Sequence, residues 1–215
     1  MRATAPNAHH FIGIKFNQRD KNKDMTTFNL TQNDKQAHVI QRLLAIATFT
    51  ALTVLGAKIT LESGEVPFTL QTMVVMLAGM VLGGRDAALS QIGYIGLLLI
   101  GLPVDARGLG FGVFAGPTWG FIIGFVPAAF VIGTICERFG NKIWVHLIAA
   151  SIGASIYFTT GTIVLMSVTG MAFVNAFYAG VVKFVMIDFA KALMASALAR
   201  SPMPQAFWGL LRRGQ

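Results

Sequence analysis

The chain has 215 residues, of which 54% are hydrophobic and only 12% charged, and its mean hydropathy is +0.64. A soluble domain carries about a quarter charged residues, so most of this length lacks a water-facing shell and is read as a membrane protein whose solvent is hydrocarbon. The formal net charge of +8 raises nucleic acid as a partner, but the basic residues gather in the amino-terminal tail, short loops and the carboxyl end rather than on one face, which excludes it.

Residues 1–37 are polar, contain the run "NQRDKNKD" and show no sustained periodicity, so they are expected to form a mobile tail. Met25 offers a second possible start, and residues 1–24 are read as a possible extension before it. Residues 38–200 form the expected membrane domain. Apolar stretches at 39–57, 66–84, 87–103, 116–136 and 143–168 are each read as a span. The stretch from Met171 to about Leu198 exceeds the roughly 20 residues that one crossing takes, so it is expected to be divided. The fold class is therefore all-α: a polytopic, compact bundle of six transmembrane helices. Residues 201–215 are read as a basic tail. With the amino terminus inside, Arg42, Arg85, Arg138, Lys142, Arg200, Arg212 and Arg213 fall inside. Only Lys58 and Arg107 fall outside among the clear loops, so both termini are expected in the cytoplasm.

The single cysteine, Cys136, excludes an intramolecular disulfide, and the four histidines (His9, His10, His38, His146) have no ligand spacing, so no metal is assigned. No nucleophile–base grouping and no phosphate loop is present, so no catalytic residue and no enzymatic activity are assigned, and any ATP consumed in transport must be bound by another chain.

The informative residues are polar ones at membrane depth. In "FVMIDFAKALMASAL" (184–198), Asp188 and Lys191 lie three apart, which places them on one helix face within reach of each other. Each costs about 2.5–3.5 kcal/mol to insert, and two leucines would be cheaper. One reading is a helix–helix clamp; the other is a polar patch for a solute carrying both N–H and oxygen groups, such as a urea or an amide. Gln71 could bind a ligand or a neighbouring helix. Tyr94 and Trp119 suit packing, an interfacial belt or a pocket wall. Residues 101–120, glycine-rich and carrying Asp105 and Arg107, cannot lie against lipid. They form either a flap over an extracellular-side pocket or a plain connection.

At these residues the sequence resembles the BioY biotin-transport proteins, the substrate-binding S components of energy-coupling-factor (ECF) transporters. The similar blocks, spread over residues 38–200, are "VPFTLQTMVVMLAGMVLGGRDAALSQIGYIGLLLIGLPV", "GPTWGFIIGF" and "DFAKALMA". The resemblance implies a six-helix bundle with a vitamin pocket near the extracellular side, in a bacterial cytoplasmic (inner) membrane. It carries a biotin-binding role to Asp188 and Lys191, with Gln71 and the flap at 104–116 completing the site. It also implies a last helix starting near Phe184, preceded by a short segment at 172–181. Ala47 and Ala51 in "AIATFTA" resemble the face that contacts the coupling subunit, with two ATPase subunits beyond it; ordinary packing within the bundle is the other reading. Two stretches depart from the family pattern: "KFVMID" stands where prolines and a glycine are usual, and "DARGLGFG" puts Asp105 and Arg107 in a loop that is commonly small and glycine-rich. The implied function is a membrane-embedded biotin-binding and uptake protein. Alternatives are an S component for another small carboxylated or heterocyclic solute, or an intramembrane structural or enzymatic protein.

Overall fold

A computed structural model describes residues 18–62, 64–202 and 204. The chain divides after Val39 into two units, Met1–Val39 and Ile40–Gln215. In the first, the described residues are helical and belong to the start of helix α1 (Gln18–Lys58). That helix begins inside the segment expected to be a tail without structure. The reason is local: neither glycine nor proline occurs between Gln18 and Leu55, so nothing in the chain stops a helix there. The rest of the proposed 1–24 extension, and the tail from 205 onward, lie outside the described residues.

The second unit holds the remaining elements. Helix α1 ends at Lys58 and is followed by a two-stranded antiparallel hairpin, β1 (Thr60–Leu61) and β2 (Phe68–Thr69), paired Thr60 with Thr69 and Leu61 with Phe68. Helix α2 (Gln71–Leu82) meets α3 (Gly84–Leu99) at the single residue Gly83, whose φ of 83° suits glycine. A loop containing the 3₁₀ turn Gly110–Ala115 leads to α4 (Trp119–Phe139), which is followed by α5 (Ile143–Thr169). The last apolar stretch is divided into α6 (Phe173–Phe177), a π turn (Tyr178–Val182) and α7 (Lys183–Arg200).

Among the described residues, three helical segments are long and apolar enough to cross a membrane: Gln36–Lys58, Trp119–Phe139 and Ile143–Thr169. The span expected at 66–84 is not one helix. Residues 66–70 belong to the hairpin and its exit, and α2 has 12 residues, rising about 18 Å against a hydrocarbon core of about 30 Å. The sequence does not separate the two states here, because "VPFT" is apolar and equally at home in a strand.

Helix α4 is the hub against which α2, α3 and α5 pack. Small residues bring the backbones together. At Gly133 an added Cβ would collide with the backbone of Gly83 and Gly84, so α4 crosses directly over the α2–α3 junction. At Gly124 it would collide with Tyr157 and Thr160 of α5. The core between these helices holds fully buried Tyr94, Tyr157, Met76, Leu98, Ile132 and Leu165. This packing fixes one side of α5, and with it Tyr157, against the first turn of α2 and the middle of α7.

Candidate functional site

Five pieces of chain meet at the site: the hairpin with the start of α2, the loop after α3, the first turns of α4, the middle of α5, and α7. Gly56 lets the end of α1 lie against the start of α2, where an added Cβ would stand 3.1 Å from the Gln71 backbone nitrogen. The Leu70 N–H donates to the Gly56 carbonyl at 3.0 Å, which fixes the entry of α2. Gln71 and Thr72 are thereby presented inward.

Asp188 and Lys191 are brought together as their spacing predicts, one turn apart on α7, with Lys191 Nζ 2.8 Å from Asp188 Oδ1. Both are buried, at 3% and 6% exposure. Thr72 Oγ1 donates to Asp188 Oδ1 at 3.0 Å and accepts from Lys191 Nζ at 3.0 Å. The Tyr157 hydroxyl donates to Asp188 Oδ2 at 2.6 Å. Three donors therefore fill three of the roughly four lone-pair directions of the carboxylate, and two acceptors use two of the three N–H groups of the ammonium. One acceptor direction and one donor remain for a guest. Neither Thr72 nor Tyr157 stood out in the sequence, where a hydroxyl in an apolar span does not disclose its direction.

These side chains border a small hollow of about 70 Å³. Gln71 lines it and is 5% exposed, and its Nε2 donates to no acceptor among the described residues. Phe121, Phe125, Phe158 and Phe184 supply apolar walls. The Phe184 ring leans on Phe68 of β2 at a centroid distance of 4.4 Å, and Tyr157 meets Phe125 edge-on at 5.8 Å. A wider groove of about 570 Å³ opens between α5, α6 and α7, but its walls are mostly apolar and of the charged pair it reaches only Asp188. The convergent polar groups single out the smaller hollow.

The loop after α3 forms the remaining wall, through Asp105, Ala106, Arg107, Leu109 and Val113. Asp105 is 3% exposed, yet its carboxylate is occupied by the loop itself. It accepts the Arg107 N–H at 3.0 Å and the Gly110 N–H at 2.8 Å. The Arg107 guanidinium turns to the hairpin, donating through Nη2 to Glu62 Oε2 at 3.1 Å and to the Gly64 carbonyl at 2.8 Å. Lys58 Nζ donates to the Pro103 and Asp105 carbonyls at 2.6 and 2.8 Å.

The remaining expected residues do not line the hollow, although the Tyr94 hydroxyl lies near the Gln71 side chain. Tyr94 is fully buried in the core of α3, and Trp119 is half-buried at the start of α4; neither is among the residues lining the hollow. Ala47 and Ala51 are exposed on one side of α1, close to exposed Leu43, Leu44 and Leu55. No group of three or more metal-ligating side chains occurs among the described residues.

The chain has relatives among known proteins. The sequence is 38% identical over 164 residues to a probable biotin transporter BioY of Lysinibacillus sphaericus, covering 73% of this chain and 84% of that protein. It is 37% identical over 162 residues to the biotin transporter BioY of Thermotoga maritima, covering 74% of this chain and 94% of that one. The fold matches a crystal structure of the S-component for biotin from an ECF-type ABC transporter with a TM-score of 0.69 at 26% identity, over 76% of this chain and 90% of the other. With the BioY family matched across residues 24–207, from the second turn of α1 to beyond the end of α7, this membrane chain belongs to that family.

Proposed function

We propose that this protein captures biotin in the membrane and delivers it for uptake as the S component of an ECF-type transporter. The observation that carries this reading is a buried acid–amine pair with one acceptor direction and one donor still open, beside an amide nitrogen that makes no close hydrogen bond among the described residues, in a chain whose relatives are named biotin transporters. The ureido ring of biotin offers two N–H donors and one carbonyl. Asp188 accepts a ring N–H at Oδ2, Lys191 donates its remaining N–H to the carbonyl oxygen, and Gln71 Nε2 donates alongside. The phenylalanine walls hold the apolar body of the ring. Arg107, which lines the hollow, swings from the hairpin to take the valerate carboxylate.

The chain binds no ATP in this reading. Two ATPase subunits and a coupling subunit supply the energy, and the exposed Ala47/Ala51 side of α1 receives the coupling subunit, since small residues permit close helix approach. Six crossings, by α1, α2 with its preceding residues, α3, α4, α5 and α7, belong to the same proposal. So do both termini in the cytoplasm, supported by the lysine and arginine bias, and residence in a bacterial inner membrane. A thermal-shift screen of purified protein against a panel of vitamins tests the reading: biotin raises the unfolding temperature and the other vitamins do not. A shift by another vitamin with none by biotin overturns it.

A further inference from the structure

Arg107 has two calls on its guanidinium. It lines the hollow, and it is held from outside by Glu62, 45 residues away on the hairpin, through Nη2 at 3.1 Å and Nε at 3.4 Å. The hollow it helps to close is about 70 Å³, well below the roughly 300 Å³ at which ligand sites begin, so its walls, this loop among them, must part before a vitamin enters. Two side chains strap this loop to the hairpin side: Lys58 bonds to two loop carbonyls, and Arg107 bonds to Glu62, Gly64 and Glu65. The Lys58 bonds go to backbone and do not sense the guest. The Glu62 carboxylate does, because it is the same chemical group as the acid end of the solute proposed above. It is also half-exposed, its side chain at 56% and that of Arg107 at 30%, so the ion pair is weak and easily exchanged.

We propose that Glu62 is a built-in competitor for the carboxylate of the guest. With the site empty it holds Arg107 and keeps the loop down; an arriving carboxylate takes Arg107 over, and the ion pair passes from hairpin to solute. Glu62 thus sets both the carboxylate preference and the ease of opening, without being a wall of the hollow. This rests on the biotin reading.

The test compares purified wild type and Glu62→Gln for binding of biotin and of biotinamide, which lacks the negative charge. In Glu62→Gln the preference for biotin over biotinamide rises about two- to fivefold, the worth of one exposed ion pair. The rise vanishes when Arg107→Gln is added. An unchanged preference, or an equal weakening of both ligands, overturns the proposal. A second readout needs no ligand: in a Cys136→Ala background, Ala106→Cys on the inner side of the loop is labelled by a maleimide faster when Glu62→Gln is present. Equal labelling rates overturn the proposal even if biotin binds to neither protein, whereas that last result alone would reject the biotin reading.

Discussion

Replacing the charged pair with apolar residues separates a clamp from a binding site. Asp188→Asn leaves the Lys191 ammonium buried at 6% exposure with only a hydroxyl and an amide for company. Removing one partner of a buried pair costs about 3–5 kcal/mol. The triple variant Asp188→Leu, Lys191→Met, Tyr157→Phe removes the pair together with the hydroxyl that would otherwise lose its 2.6 Å acceptor. A buried pair replaced by apolar groups is often neutral or stabilising by about 1–4 kcal/mol. The triple variant is therefore expected within about 2 kcal/mol of wild type, and Asp188→Asn well below it, in thermal unfolding of the detergent-solubilised protein. Binding goes the other way. Each charged hydrogen bond to biotin is worth about 1.5–3 kcal/mol, and both variants lose at least one, the triple variant two. Equilibrium dialysis with radiolabelled biotin should show affinity reduced about tenfold or more in Asp188→Asn and about a hundredfold or more in the triple variant. A stable triple variant that binds biotin within about threefold of wild type would refute the argument and leave the pair as a clamp.

Three further substitutions test neighbouring claims. Gln71→Leu removes a buried donor that has no acceptor among the described residues; stability holds or rises by about 1 kcal/mol while biotin binds about tenfold more weakly, read from unfolding curves with and without biotin. Gly133→Ala drives a methyl into the backbone at Gly83 and Gly84, and the unfolding temperature should fall by the equivalent of about 1–3 kcal/mol. Ala51→Leu changes an exposed residue of α1; the isolated protein keeps its stability within about 0.5 kcal/mol and its biotin affinity, but uptake by cells co-producing the coupling and ATPase subunits drops at least tenfold.

What the sequence discloses and what it hides follow from how each feature is encoded. Asp188 and Lys191 are legible because charge in an apolar run has few explanations, and a spacing of three fixes their common face. The loop at 101–118 is legible because its glycines and prolines leave no regular structure possible against lipid. The second strand of the hairpin, Phe68–Thr69, is hidden, since "VPFT" reads equally as part of a span. So is the break at Gly83, because "GG" inside an apolar stretch marks either close packing or a reversal, and the structure has both at once. Tyr94 shows the limit of the same reasoning: an aromatic hydroxyl in a span looks like a site residue, but packing decides how close it comes, and here it is buried behind Gln71 rather than in the wall of the hollow. The partners Thr72, Tyr157 and Glu62 come from elements 31 to 119 residues distant from the groups they serve, and nothing local encodes such pairings.

The network also explains how a membrane bundle tolerates an acid and an amine without closing them off. A pair satisfied on every side would be a rigid clamp with nothing to offer. A pair left bare would bring the desolvation penalty of two buried charges. Here Thr72 and Tyr157 hold the carboxylate and ammonium in fixed positions and leave one lone pair and one N–H unspent, so the charges are oriented before a guest arrives. Orientation settled in advance lowers the ordering cost of binding. The small size of the hollow then becomes part of the same logic: the phenylalanine walls and the strapped loop keep those two unspent valences away from lipid and water until a solute large enough to lift the loop, and polar enough to use both valences, replaces what the closed state supplies.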